Sequence, residues 1–232
     1  MIGILTFVLI LLGSGAGLAT IRHVPVDYPT IQSALDALIA HDTVLVDVGL
    51  YEEALLAPSL DFVLRGNVVS DSGVNPRPII DPSSLPDPTH RSCLRQVSGN
   101  TIIEDLHFRN RWPMHPAASD TGGGVYHPYG EITLRRCIFD STYHSLAAYH
   151  ADVTIEHCRF LHIAGYGPIT YQRLIATDCD LHSDTVRFAQ MMGRNSSRIE
   201  RCTFAGDYGT QTTLHLTGND IQVRDCVFGP GN

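Results

Sequence analysis

Five cysteines recur in one short pattern along the second half of the chain, and this recurrence constrains the fold more than any other feature. The segments are ITLRRCIF ending at Phe139, VTIEHCRF at Phe160, LIATDCDL at Leu181, SRIERCTF at Phe204 and IQVRDCVF at Phe228. A sixth, TIIEDLHF ending at Phe108, carries Leu106 in the cysteine place. The steps between aligned positions are 31, 21, 21, 23 and 24 residues. Self-similarity at near-constant spacing is the mark of a solenoid, whose repeats bury a continuous core only by stacking on one another. The long first step contains RWPMHPAASD, which reads as a loop inserted in one coil.

Each segment has the same inside–outside order. An apolar residue opens it: Ile103, Leu134, Ile155, Ala176, Ile199 and Val223 in turn. Two mostly charged residues follow, then the Leu or Cys, and two positions later another apolar residue. Strict alternation along a strand would bury one of the charged pair. The break in phase therefore predicts a corner, with both charged residues turned outward. The fold class that follows is all-β, a single right-handed parallel β-helix.

An even count of six cysteines in an exported chain ordinarily suggests disulfides. Here five fall in one inward column on parallel strands about 4.8 Å apart. Small apolar thiols fill such a column, and a bridge between directly stacked side chains has poor torsional geometry. They are expected buried and unpaired; Cys93 lies outside the pattern. The outward pairs form two columns, one reading Glu104, Arg135, Glu156, Thr177, Glu200, Arg224 and the other Asp105, Arg136, His157, Asp178, Arg201, Asp225. Signs largely alternate between coils, as cross-strand ion pairs do.

The first residues differ from the rest. Ile2 to Leu12 form an apolar run followed by Gly15, Ala16, Gly17 and Ala19, the pattern of a signal peptide over residues 1–19. About eleven apolar residues are too few to span a bilayer, so the mature chain, residues 20–232, is expected to be secreted, periplasmic or at the cell surface, and not in a membrane. Thr30 is a good N-cap for a helix with Ile31, Ala34, Leu35, Leu38 and Ile39 on one face, suited to plugging the first coil. Strands are expected around Val44–Val48 and Phe62–Leu64. A net charge of −8, with 16 scattered basic residues, argues against a nucleic-acid partner. The sequence stops at Gly229-Pro230-Gly231-Asn232 just after a cysteine strand, which reads as a fragment or as an end that pairs with another chain.

VPVDYPTIQSALDALIAHDTVLVDVGLYEEAL, FVLRGN, PIID and VSGNTIIEDLHFRN resemble the first half of the pectinesterases and related β-helix proteins of the pectin-lyase superfamily, over roughly residues 24–110. The resemblance implies the fold and an association with polysaccharide. Where pectinesterases keep their catalytic Gln-Asp pair and second Asp, this chain has Tyr143, His144 and Gly165, so esterase activity is not carried over and no catalytic residue is assigned. A lyase of this superfamily would imply calcium, but no acidic cluster of that kind stands out. No cofactor or metal site is expected, since HExxH and CxxC are both absent.

Two readings of function follow: a carbohydrate-binding or non-catalytic surface scaffold, and a polysaccharide-active enzyme. Candidate binding residues are Tyr126, His127, Tyr149, His150, Tyr171 and Gln172, placed before the cysteine strands. Stacked coils would bring Tyr126, Tyr149 and Tyr171 together with a polar column alongside. Aromatic platforms beside neutral donors suit sugar rings. Asp140, Ser141, Tyr143 and His144 form a further polar group at a turn. The Gly122–Gly124 run has no helix pattern after it and reads as a turn or tight bend, not a phosphate loop.

Overall fold

A computed structural model describes residues 19–68, 76–86, 92–110, 123–163, 165–183, 189–206 and 212–230. They form twenty-two strands and one α-helix, and the strands pair in parallel from coil to coil. The chain is an all-β parallel solenoid. Residues 1–18, nearly all of the expected signal peptide, and the RWPMHPAASD segment lie outside the described residues.

One coil shows the plan. Gly123–Tyr126 lies on a third face, Tyr129–Arg135 on the first and Ile138–Asp140 on the second. The next coil repeats it with His144–Ala147, His150–Glu156 and Arg159–Leu161. In the following two coils the third- and first-face strands merge into single bent strands, Tyr166–Thr177 and Ala189–Glu200. The first and third faces are thereby joined into one sheet, while the second stands apart.

The corner between first and second faces falls where the phase break predicts it. Asp105, Arg136, His157, Asp178, Arg201 and Asp225 all have φ between 49° and 57°, a left-handed conformation that costs a non-glycine residue about 1–2 kcal/mol. Each coil's corner amide is held by the next coil: Asp105 N donates to Arg135 O at 3.0 Å, Arg136 N to Glu156 O at 2.9 Å, and His157 N to Thr177 O at 3.0 Å. The bond recurs at Asp178 and Arg201, and it offsets the strain at these five corners.

Inside the corner sit the cysteines. All six in the chain are free thiols, and all but Cys226 are buried. The sulfur has a polar task as well as a packing one. Cys137 Sγ donates to Arg135 O at 3.4 Å, Cys179 Sγ to Thr177 O at 3.2 Å and Cys202 Sγ to Glu200 O at 3.3 Å, so each thiol gives a second bond to a carbonyl that already accepts the preceding coil's corner amide. Burial, then the neighbouring Cys137, pushes the Cys158 thiol well up. Two residues on, Phe108, Phe139 and Phe160 stack at 5.0 and 5.1 Å, and Phe204 stacks on Phe228 at 4.8 Å, with Leu181 between the two groups.

The outward columns pair as the alternation of signs predicts. Arg135 reaches Glu104 at 3.2 Å and Glu156 at 2.8 Å. Arg136 and Arg201 make forked contacts to Asp105 and Asp178 at 2.7–2.8 Å. Glu200 departs from the outward pattern: it is buried, and it is paired with Arg198 and Arg201.

Three local expectations change. The helix runs only over Ile31–Asp36, with Thr30 and Ser33 forming a capping box. Ile39 is exposed, because the chain leaves the helix early and the buried Asp42 takes up the Ile39 amide. Glu53, unforeseen, caps the helix by accepting from Ile31 N and Gln32 N. Gly123 and Gly124 lie within a strand and not in a bend. A Cβ on Gly123 would sit 1.8 Å from His144 O, and one on Gly124 would sit 2.4 Å from Ser145 O, so two backbones approach there as only glycine allows.

Candidate functional site

The six residues singled out in the sequence do not form one column. Strand register sets Tyr126 opposite Ala147 instead of Tyr149, and the Arg95 guanidinium covers its ring at 5.1 Å. His127, expected beside a polar column, is fully buried. Among the described residues neither ring nitrogen has a hydrogen bond of good geometry. Burial pushes its pKa down to about 4 against the raising effect of the Gly99 and Glu131 backbone. It is a neutral core histidine.

The other four do come together, at the corner between third and first faces. Tyr149 stacks on Tyr171 at 5.6 Å, and His150 meets the edge of Tyr171 at 6.3 Å. Gln172 is exposed beside them. The register adds two residues the sequence reading missed. Tyr129, paired with His150, stacks on it at 5.5 Å, and the Arg194 guanidinium lies 5.0 Å over Tyr171. The strip therefore spans four coils.

Stacking along the axis decides what this strip offers. Rings spaced by one coil cover each other's faces and present edges and polar tips to solvent. Arg194 closes the far end. At the near end Tyr129 is 52% exposed and stacks only on His150 among the described residues. One residue on, Gly130 (φ +102°) lies against the preceding coil, where an added Cβ would sit 2.2 Å from Gly99 O. Of the strip's three tyrosines Tyr129 is the most exposed.

Two residues beyond Tyr129 on the same strand, Glu131 helps line a groove of about 330 Å³ across the first face, with His41, Asp61, Phe62, Val63, Asn100, Thr101, Ile102 and Thr133. Its floor comes from adjacent strands: Val63 pairs with Ile102 and Ile102 with Thr133. One wall is a polar column. Asn100 donates from N and Nδ2 to the Asp61 carboxylate at 2.8 and 3.3 Å, Glu131 pairs with Asn100 in register, and Asp152 on the next strand holds Arg173 at 2.9 Å. A signal for this column was present. Asp61, Asn100, Glu131 and Asp152 each stand three residues before the apolar residues Leu64, Ile103, Leu134 and Ile155, so the repeat extended backwards contains it.

The turn group Asp140, Ser141, Tyr143 and His144 is not one unit. Asp140 accepts from Ser141 Oγ at 2.9 Å and sits 2.7 Å from His162 Nδ1. Burial raises the Asp140 pKa, but the bonds from His162 and Ser141 outweigh it and hold the carboxyl below its ordinary range. His144 is buried elsewhere, between Tyr143 and Tyr166 at 4.6 and 5.0 Å. Cys93 is buried with Sγ 3.5 Å from Arg109 O, and burial, then Asp81, raises its thiol pKa. Among the described residues no group of three or more His, Cys, Asp or Glu is arranged to hold a metal ion, and no helix is long and apolar enough to cross a membrane.

Comparison of the chain with protein-family models, with curated proteins and with solved structures finds no match.

Proposed function

We propose that the protein is an exported, non-catalytic carbohydrate-binding scaffold, a β-helix of the pectin-lyase superfamily kind. Export rests on the signal-peptide pattern of residues 1–19, and the superfamily rests on the motif order of residues 24–110. The observation that carries the binding reading is a groove walled by Asp61, Asn100 and Glu131, with the exposed Tyr129 two residues before Glu131 on the same strand. A sugar ring packs its C–H face on such an aromatic, and its hydroxyls pair with carboxylates and amides placed alongside. Tyr143, His144 and Gly165, at the positions matching the pectinesterase aspartates, favour binding over hydrolysis.

Electrophoresis of the full chain through gels containing neutral, amine-bearing or uronate polysaccharides tests this. Retardation by at least one of them, lost in Tyr129→Ala and kept in Tyr143→Ala, is the expected result. Migration unaffected by every polysaccharide overturns the reading.

A further inference from the structure

The two long walls of the groove differ in charge. Two residues beyond the floor residues Val63, Ile102 and Thr133 stand Arg65, Glu104 and Arg135, and both arginines are committed. Arg65 lies 3.8 Å from Glu104, and Arg135 lies 3.2 Å from Glu104 and 2.8 Å from Glu156. That wall is close to neutral and has no guanidinium free for an anion.

The opposite wall is acidic. Among the described residues the Asp61 carboxylate accepts from the neutral Asn100 and forms no ion pair. Glu131 makes neither an ion pair nor a hydrogen bond through its carboxylate among the described residues, while Asp152 beyond it is matched by Arg173. His41 is the only basic residue in the lining. A ligand in the groove meets two carboxylates and no arginine of the lining.

A unit charge about 4 Å from a carboxylate shifts affinity about fivefold even at the dielectric of water, and more in a sheltered groove. A uronate loses by that factor and a protonated amine gains by it. The exposed ring of Tyr129, two residues before Glu131 on the same strand, adds to the preference, since a cation is drawn to an aromatic ring.

We propose that the groove binds a saccharide carrying a primary amine, a hexosamine unit, and turns uronates away. This rests on the carbohydrate-binding reading of the same site.

Calorimetry on the full chain at pH 6 tests it with three matched oligosaccharides: a glucosamine oligomer, its N-acetylated form, and an oligogalacturonate with and without calcium. The glucosamine oligomer is expected to bind at least about fivefold tighter than the acetylated one at low ionic strength, with the gap closing as salt is raised. Glu131→Gln is expected to bring the amine-bearing ligand down to the affinity of the acetylated one, whereas Asp178→Asn, at a different corner, keeps the gap. Equal affinity for the two forms, or tighter binding of the oligogalacturonate without calcium, overturns the charge assignment and leaves saccharide binding standing. If none of the three binds, the carbohydrate reading fails and this assignment fails with it.

Discussion

Tyr129 and His150 stack across adjacent coils with ring centroids 5.5 Å apart and planes 12° from parallel. The contact holds the plane of Tyr129, which stays 52% exposed. The same geometry spends both faces of Tyr171, one on Tyr149 and one on Arg194. Two tyrosines in one strip therefore have different work.

Tyr171→Ala is expected to lower stability by about 1 kcal/mol or more through lost stacking and burial, with little change in saccharide affinity. Tyr129→Ala is expected to do the reverse, with a large loss of affinity and a small loss of stability. Urea unfolding and calorimetry on the same two variants check this; equal effects on affinity would remove the distinction.

His127 makes stability depend on pH. Its native pKa of about 4 lies below the ordinary value of 6.5, so the unfolded chain binds the proton first as pH falls. The contribution is fully present above about pH 6.5 and is lost progressively down to about pH 4, some ~3 kcal/mol in all. His127→Leu should flatten unfolding free energy against pH across that window. An unchanged slope would show that the acid sensitivity comes from other groups, of which His107, also lowered mainly by burial, is the first to examine.

The corner strain can be measured. His157 has φ 54° and reaches Asp178 only at 4.0 Å, so His157→Gly should stabilise by about 1 kcal/mol and His157→Val should destabilise by a similar amount or more. Thermal unfolding reads both. A glycine variant less stable than the parent would mean that the side chain outweighs the strain.

Gly124→Ala is expected to cost about 3 kcal/mol, because the added carbon meets Ser145 O at 2.4 Å and the Phe139 ring at 2.6 Å. Neither backbone nor ring can yield without disturbing the phenylalanine stack. A variant as stable as the parent would show that the coils can separate there.

Much of the fold was legible because it repeats. The apolar column from Ile103 to Ile199, the left-handed corner and the cysteine stack each follow from a pattern sampled five or six times, so a single irregular coil does not hide it. The Phe204–Phe228 stack and the Arg136–Asp105 fork follow from the same register. The site was legible only in part, because it depends on register at the opposite corner. There the segments before the cysteine strands vary in length, and Tyr126 looks equivalent to Tyr149 until pairing shows Ala147 in its place. His127 and His150 follow a tyrosine alike, yet one is core and the other surface, a difference set by the turn between them. Gly123 and Gly124 look like a bend in one dimension; the close approach that requires them belongs to the neighbouring coil.

Hydroxyl-radical footprinting of the full chain, with and without a saturating oligosaccharide, tests the binding site most directly. Protection is expected at Tyr129 and His150, with Tyr143 and Tyr166 on the other side of the third face labelled as before. Protection of Tyr143 and Tyr166 with Tyr129 still reactive would place the ligand elsewhere and contradict the assignment.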